Sequence, residues 1–343
     1  MTRGAALGLS VLTLLGIVAV YGPHVSSAPF VYEDMRLVEG LARPFSVSGL
    51  ARGRGLTTES WTVIRTPQAS HALNLVLHLL VACLTGALLW QLTGQRLTAF
   101  GSAGIVALHP LALEGVAYAA SRAELIAAVG ALLAVLAATT SAAWGWAALP
   151  LLVGLAYAGK ETGIVAIGLI PLVLWLKGER AWAARGAWLC VGLCVTAVLV
   201  ATAEVAQWMA VAEYGSVRID PDTWMAQQAV AVWRLAVLSL APFWLSVTPD
   251  MTGTSGLSQL AAAILLCGIA EIALRCRRTA PLATFGIVWC AIVVAPRFLV
   301  RTPGSPLNEH HVYLALPGIA CCWLAALEAL DARWRTTRTT CRA

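Results

Sequence analysis

Charge is what this 343-residue chain has little of. Only 12% of its residues are Asp, Glu, Lys or Arg, against about 25% in an ordinary soluble domain. So few solubilising groups exclude a water-soluble globular enzyme. They also exclude a disordered regulator, which needs high charge and low hydrophobicity. A net charge of +6 without any dense Lys/Arg stripe excludes a nucleic-acid-binding protein. Paired cysteines in loops are missing too. Of the nine Cys, seven (Cys83, Cys190, Cys194, Cys267, Cys290, Cys321 and Cys322) lie in apolar segments, and Cys276 and Cys341 stand among arginines. That distribution offers neither a disulfide framework nor zinc-ligand spacing, and reads as small buried hydrophobes. No tandem repeat is visible, and neither end has room for a second soluble domain.

What the chain has is apolar length. It is 59% hydrophobic, with a mean hydropathy of +0.78. Stretches of about 20 apolar residues, each able to cross a hydrocarbon core of roughly 30 Å, recur throughout. The expectation is an all-α polytopic membrane protein, one membrane domain over 1–343, with about 10–11 transmembrane helices. The candidate spans are 5–21, 71–92, 97–117, 123–140, 145–158, 162–176, 186–204, 257–274, 281–299 and 310–330. The first could be a signal peptide cut after Ser26-Ser27-Ala28, but Pro29 is a poor residue beyond a cut, so we read a retained helix. Segment 226–247 is apolar yet carries Arg234 and Pro242. If it does not span fully, Arg3, Lys177 to Arg185, Arg275 to Arg278 and Arg333 to Arg342 all face one side, as the positive-inside rule prefers. It is therefore expected to be re-entrant or pressed against the outer face. Two extracytoplasmic segments follow, 22–70 and 205–256, with a basic cytoplasmic tail at 331–343. Residues 40–60 read as loop with short amphipathic pieces.

Ionisable groups in or beside spans are costly and are functional candidates by default. With the N-terminus inside, five groups fall at the outer face. The first is the acid pair Glu33-Asp34 after the first span. His71, Asn74 and His78 form one helical stripe at i, i+3 and i+7. His109-Pro110 with Glu114 precedes Ser121-Arg122-Ala123-Glu124. Lys160-Glu161 closes the fifth span, and Asn308-Glu309-His310-His311-Val312-Tyr313 opens the last. Each has a bland alternative: surface acids, histidines bonded to carbonyls, an interfacial Lys–Glu pair worth little, or a snorkelling Arg234. Their convergence on one face favours a site.

An outer-face acid beside cations fits two machines. A transporter carries protons or ions on carboxylates and His near the midplane. A lipid-linked sugar transferase uses a carboxylate to deprotonate an acceptor hydroxyl, while Arg, Lys or His hold the phosphate of the leaving group. Charges at helix ends on one side, with no match between the two halves of the chain, fit the transferase better. A transporter or flippase of lipid-linked sugar, or a catalytically inactive membrane subunit, are the alternatives.

At these residues a resemblance emerges. The order Phe30-Val31-Tyr32-Glu33-Asp34, Arg43-Pro44 and His71-Ala72-Leu73-Asn74-Leu75-Val76-Leu77-His78 resembles the polytopic GT-C glycosyltransferases. Within that class it is most similar to the membrane half of the transmembrane and tetratricopeptide-repeat-containing O-mannosyltransferases and their bacterial relatives. The likeness runs on through His109-Pro110 with Glu114, Ser121-Arg122-Ala123-Glu124-Leu125 and Lys160-Glu161-Thr162-Gly163 to Glu309-His310-His311-Val312-Tyr313-Leu314, covering most of 30–318.

The resemblance implies a GT-C fold and a polyprenyl-phosphate sugar as donor. Transfer would be to a hydroxyl of a protein Ser/Thr, glycan or lipid, on the extracytoplasmic face of a bacterial inner membrane. Membrane lipids and an acceptor are the implied partners, and nucleic acid is not. Glu33 and Asp34 occupy the family's acid pair, as base or as metal-facing acids. Glu-Asp stands here where relatives usually show Asp-Asp. Arg122 and Lys160, with Arg234 and His310, are implied donor-phosphate contacts. His71, Asn74, His78, His109, Glu114, Glu124, Glu161, Glu309 and Tyr313 would line the cleft. His310 replaces the family's Arg in the last motif, where Arg297 or Arg301 could substitute. Two adjacent carboxylates suit a hard cation such as Mg2+ or Mn2+, and members of the class differ in using one. The family's tetratricopeptide repeats are not in this sequence.

Overall fold

The computed structural model describes residues 3–31, 34–40, 44–47, 54–140, 143–178, 221–246, 255–299 and 308–340. Among them the chain is helical and has no strand. The α-helices are α1 (Arg3–Ser27), α2 (Asp34–Gly40), α3 (Gly55–Val63), α4 (Pro67–Thr93), α5 (Arg96–Leu108), α6 (Ala112–Ala117), α7 (Arg122–Ala138), α8 (Ala143–Gly159), α9 (Ala166–Leu176), α10 (Pro221–Leu240), α11 (Gly256–Arg275), α12 (Pro281–Leu299) and α13 (Leu316–Thr340). Short 3-10 segments at Ala119–Ser121, Glu161–Val165 and Glu309–Ala315 lead into α7, α9 and α13.

Among the described residues, six apolar stretches are long enough to cross a membrane: Gly8–Ser27, Pro67–Thr93, Ala119–Ala138, Gly256–Arg278, Pro281–Phe298 and Glu309–Trp334. Arg96–Leu108, Trp144–Gly159 and Glu161–Leu176 are apolar but shorter. Large apolar side chains face outward from α1 (Leu12, Leu14, Leu15) and α11 (Leu257, Leu260, Ile264). In water, exposed apolar stripes of this length would drive association. In lipid they need no partner. This is an all-α, polytopic integral membrane protein.

Helices occupy nine of the ten expected spans, and the tenth, 186–204, lies outside the described residues. The stretch 97–117 is not one helix. The residue before a proline is disfavoured in helical geometry, so α5 stops at Leu108, His109 is extended, and the chain turns at Pro110 into α6. Segment 226–247 forms the continuous helix α10 up to Leu240, and the chain leaves helical geometry before Pro242.

The helix at the centre is α7. An apolar sequence with no polar face is a buried one, and nearly every residue of α7 is buried, packed against α8, α4 and α9. Its crossing with α8 is set by small residues, as in membrane helix pairs generally. A Cβ on Gly130 would stand 2.5 Å from the Ala156 amide nitrogen, and one on Gly159 2.6 Å from that of Ala127. Only hydrogen fits at either place. The close approach brings the end of α8, where Lys160 follows, onto the first turn of α7, where Arg122 and Glu124 stand.

Candidate functional site

Charged side chains from several parts of the chain meet near the start of α7. The first group surrounds Asp34, the first residue of α2, which is fully buried. Asp34 Oδ2 accepts the Val31 amide at 3.1 Å and Oδ1 accepts the Ala120 amide at 2.8 Å. The carboxylate therefore ties the first loop to the entrance of α7. Burial pushes its carboxyl above the ordinary Asp value, and the amides of Val31, Ala120 and Ala119 and the charge of Arg122 pull the other way.

Arg122 is also fully buried. Its Nη1 donates to Ser60 Oγ at 3.0 Å, and its guanidinium lies over the Trp61 ring, 4.2 Å from the centroid. Nε and Nη2 have no hydrogen-bond partner among the described residues. A desolvated guanidinium with open donors is costly, and native proteins rarely leave such groups unsatisfied. Further open polar atoms belong to the same neighbourhood: Trp61 Nε1, Ser121 Oγ and Ser70 Oγ.

The stripe on α4 is buried as one face, yet its members do different things. His71 packs its ring on His24, centroids 4.7 Å apart. Asn74 donates from Nδ2 to the Tyr118 carbonyl at 3.1 Å, holding the turn before α7. His78 donates from Nε2 to the Ala107 carbonyl at 3.1 Å, so its bare Nδ1 accepts the Tyr313 hydroxyl at 2.5 Å. His78 and Tyr313 thus serve each other inside the bundle. His109 donates to the Ser239 carbonyl at 3.1 Å and lines an apolar groove of about 680 Å³ between α1, α5 and α13. It does not join the charged cluster.

The second group gathers around Lys160 and Glu124, which form a buried ion pair. Next to Lys160 in the chain, Glu161 accepts a bifurcated hydrogen bond from Arg54 Nε–H, 2.8 Å to each oxygen. Glu114 accepts both the backbone amide of His310, at 2.8 Å, and its ring Nδ1–H, at 2.7 Å. Glu309 accepts from Arg234 at 3.3 Å and from the Ser246 amide at 2.6 Å. Glu124, His310 and His311 bring ligand atoms within 4.8 Å of one another, the one such trio of His, Cys, Asp or Glu among the described residues.

Asp34, Arg122, Lys160, Glu124, Glu161, Glu114, His310 and the Arg234–Glu309 pair are therefore brought together around α7 and its neighbours. Glu33 lies outside the described residues, as do Tyr32, Arg43 and Arg301. Sequence reasoning missed Arg54, Ser60 and Trp61. All three come from the Gly- and Arg-rich stretch after the first span, where α3 forms. None of the three carries a signal of its own in the sequence. An Asp34 already bonded to two amides and standing beside a guanidinium is poorly disposed toward a cation, which would have to compete with these donors.

No protein-family model, curated protein or solved structure matches this chain.

Proposed function

We propose that the protein is a glycosyltransferase that moves a monosaccharide from a polyprenyl-phosphate donor to an acceptor hydroxyl at the extracytoplasmic membrane face. The observation that carries the reading is Arg122: a fully buried guanidinium with two open nitrogens, beside a buried carboxylate, at the end of membrane helices. It supports recognition of an anion by charge-assisted hydrogen bonds, next to an acid suited to proton transfer. The positions of the charges also support transfer over transport. Asp34 and Arg122 are first residues of helices, Lys160 lies between two, and Arg297 is in a last turn. Ion-coupled transport would favour breaks at mid-helix.

In the proposed reaction the acceptor oxygen attacks the anomeric carbon of the donor. The carbon–oxygen bond to phosphate breaks, and its electron pair leaves with the polyprenyl phosphate. The hydroxyl proton passes to the Glu33–Asp34 pair, while Arg122 and Lys160 balance the leaving phosphate's charge. The GT-C likeness of the collinear motifs adds to this reading, including its bacterial inner-membrane setting.

The test is binding of a radiolabelled polyprenyl-phosphate sugar to purified protein in nanodiscs. Arg122→Gln removes hydrogen bonds to a charged ligand, each worth about 1.5–3 kcal/mol, so binding should weaken roughly tenfold or more at unchanged thermal stability. Equal binding by the variant contradicts the assignment.

A further inference from the structure

Arg297 is a second buried arginine that the reaction above does not use. It stands in the last turn of α12, 7% exposed, with its backbone carbonyl held by Trp224 Nε1–H at 3.0 Å. Its Nε has no partner, and it forms no ion pair among the described residues. Glu124 and Glu161 act on it electrostatically, but Glu124 Oε1 is taken by Lys160 and both Glu161 oxygens by Arg54. The helix that carries Arg297 packs against both the 161–165 and the 309–315 segments, and Lys160, Arg297 and Arg54 all act in turn on His311.

His311 has a readable tautomer. Its Nδ1 accepts the Asn308 amide at 3.2 Å, part of the capping box that starts the 309–315 segment. A neutral imidazole that accepts at Nδ1 carries its proton on Nε2. His311 therefore presents an N–H donor, not a lone pair, into a neighbourhood already holding Lys160 and Arg297. The trio Glu124, His310 and His311 is close enough for a metal ion, and the Glu114 carboxylate holds the His310 ring through Nδ1–H, which orients it as a ligand needs. The other two members do not fit one. His311 would have to surrender the Nε2 proton or break its cap, and Glu124 is engaged by an ammonium. A divalent cation would sit against two like charges, whereas an anion would meet three donors.

We propose that Lys160, Arg297 and His311 form a phosphate seat that works without a bound divalent cation, with Glu124 holding Lys160 in place. This names the groups that receive the anionic part of the ligand, and rests on the reading of that ligand as a lipid-linked phosphate. The unpartnered Arg297 Nε and the fixed Nε2–H of His311 are the donors awaiting it.

The experiment is calorimetric titration of farnesyl phosphate into the purified full chain in detergent, with and without EDTA. Wild type is compared with Arg297→Gln, Arg297→Lys, His311→Asn and Arg122→Gln. Asn at 311 keeps an acceptor for the Asn308 amide and removes the distal N–H, so a loss is not a loss of the cap. Expected are a tenfold or greater weakening in Arg297→Gln and His311→Asn, partial recovery in Arg297→Lys, and no effect of EDTA. Full-strength binding by Arg297→Gln and His311→Asn overturns the seat while Arg122→Gln still reports on the wider reading. Binding abolished by EDTA also overturns the seat and makes Glu124, His310 and His311 metal ligands. Absence of binding by wild type removes the lipid-phosphate reading together with the seat.

Discussion

The Lys160–Glu124 pair permits a quantitative test of how this membrane protein is held together at its charged centre. Both side chains are nearly sealed, 8% and 7% exposed. Replacing Lys160 by Met removes the only ion-pair partner described for Glu124 and leaves a carboxylate in a place without water. Breaking a buried pair from one side costs about 3–5 kcal/mol, a large share of the roughly 5–15 kcal/mol that a folded protein has to lose. Replacing both residues, as Lys160→Met with Glu124→Leu, removes the two desolvation costs together and should be close to neutral. The cycle is read by thermal or denaturant unfolding in detergent, followed by tryptophan fluorescence. The expected coupling is about 3 kcal/mol or more, with the double variant more stable than the single Lys160→Met variant. A single-variant cost below about 1 kcal/mol, the level of an exposed pair, would refute the reasoning. So would a double variant as unstable as the sum of the two singles.

Three other expectations follow from contacts described above. Burial raises the Asp34 carboxyl above the ordinary Asp value, so the folded state holds this proton more tightly than the unfolded chain. Stability should then fall as pH rises through the folded value, and Asp34→Asn should flatten that dependence in thermal unfolding across acidic pH. Gly159→Val should cost about 1–3 kcal/mol or more by overpacking, because its Cβ would lie 2.6 Å from the Ala127 nitrogen, and should weaken farnesyl phosphate binding through Lys160. His78→Phe strands the Ala107 carbonyl and the Tyr313 hydroxyl, a loss of about 1–3 kcal/mol in detergent unfolding. It should leave phosphate binding nearly intact.

The helices were legible because apolar runs of membrane length have few other homes. Where the reading of 97–117 went astray, Pro110 was visible, but an apolar run on both sides hid the break. Arg122, Lys160, Glu124 and Asp34 stood out as charges beside spans, and their meeting around one helix follows from the Gly130 and Gly159 contacts, which no periodicity announces. The His71, Asn74 and His78 stripe shows the limit of spacing arguments. A helix rises about 1.5 Å per residue, so three residues on one face reach depths about 10 Å apart. They meet three unrelated partners: a ring, a turn and a buried hydroxyl. The bond between Glu114 and His310 joins residues 196 positions apart, a pairing that depends on how α6 packs against the 309–315 segment. The α3 contribution of Ser60 and Trp61 was hidden in a stretch whose glycines and arginines read as loop.

The central claim is sugar transfer, and its most direct test is release of free polyprenyl phosphate. A panel of radiolabelled polyprenyl-phosphate sugars is offered to purified protein in nanodiscs, with membrane extract as acceptor. Wild type is run beside the Glu33→Gln/Asp34→Asn double variant, in which amides replace the acid pair and accept no proton. The account predicts release from at least one donor by wild type and its loss in the double variant, with donor binding retained. Donor that binds but is never cleaved, by wild type or variant, contradicts it.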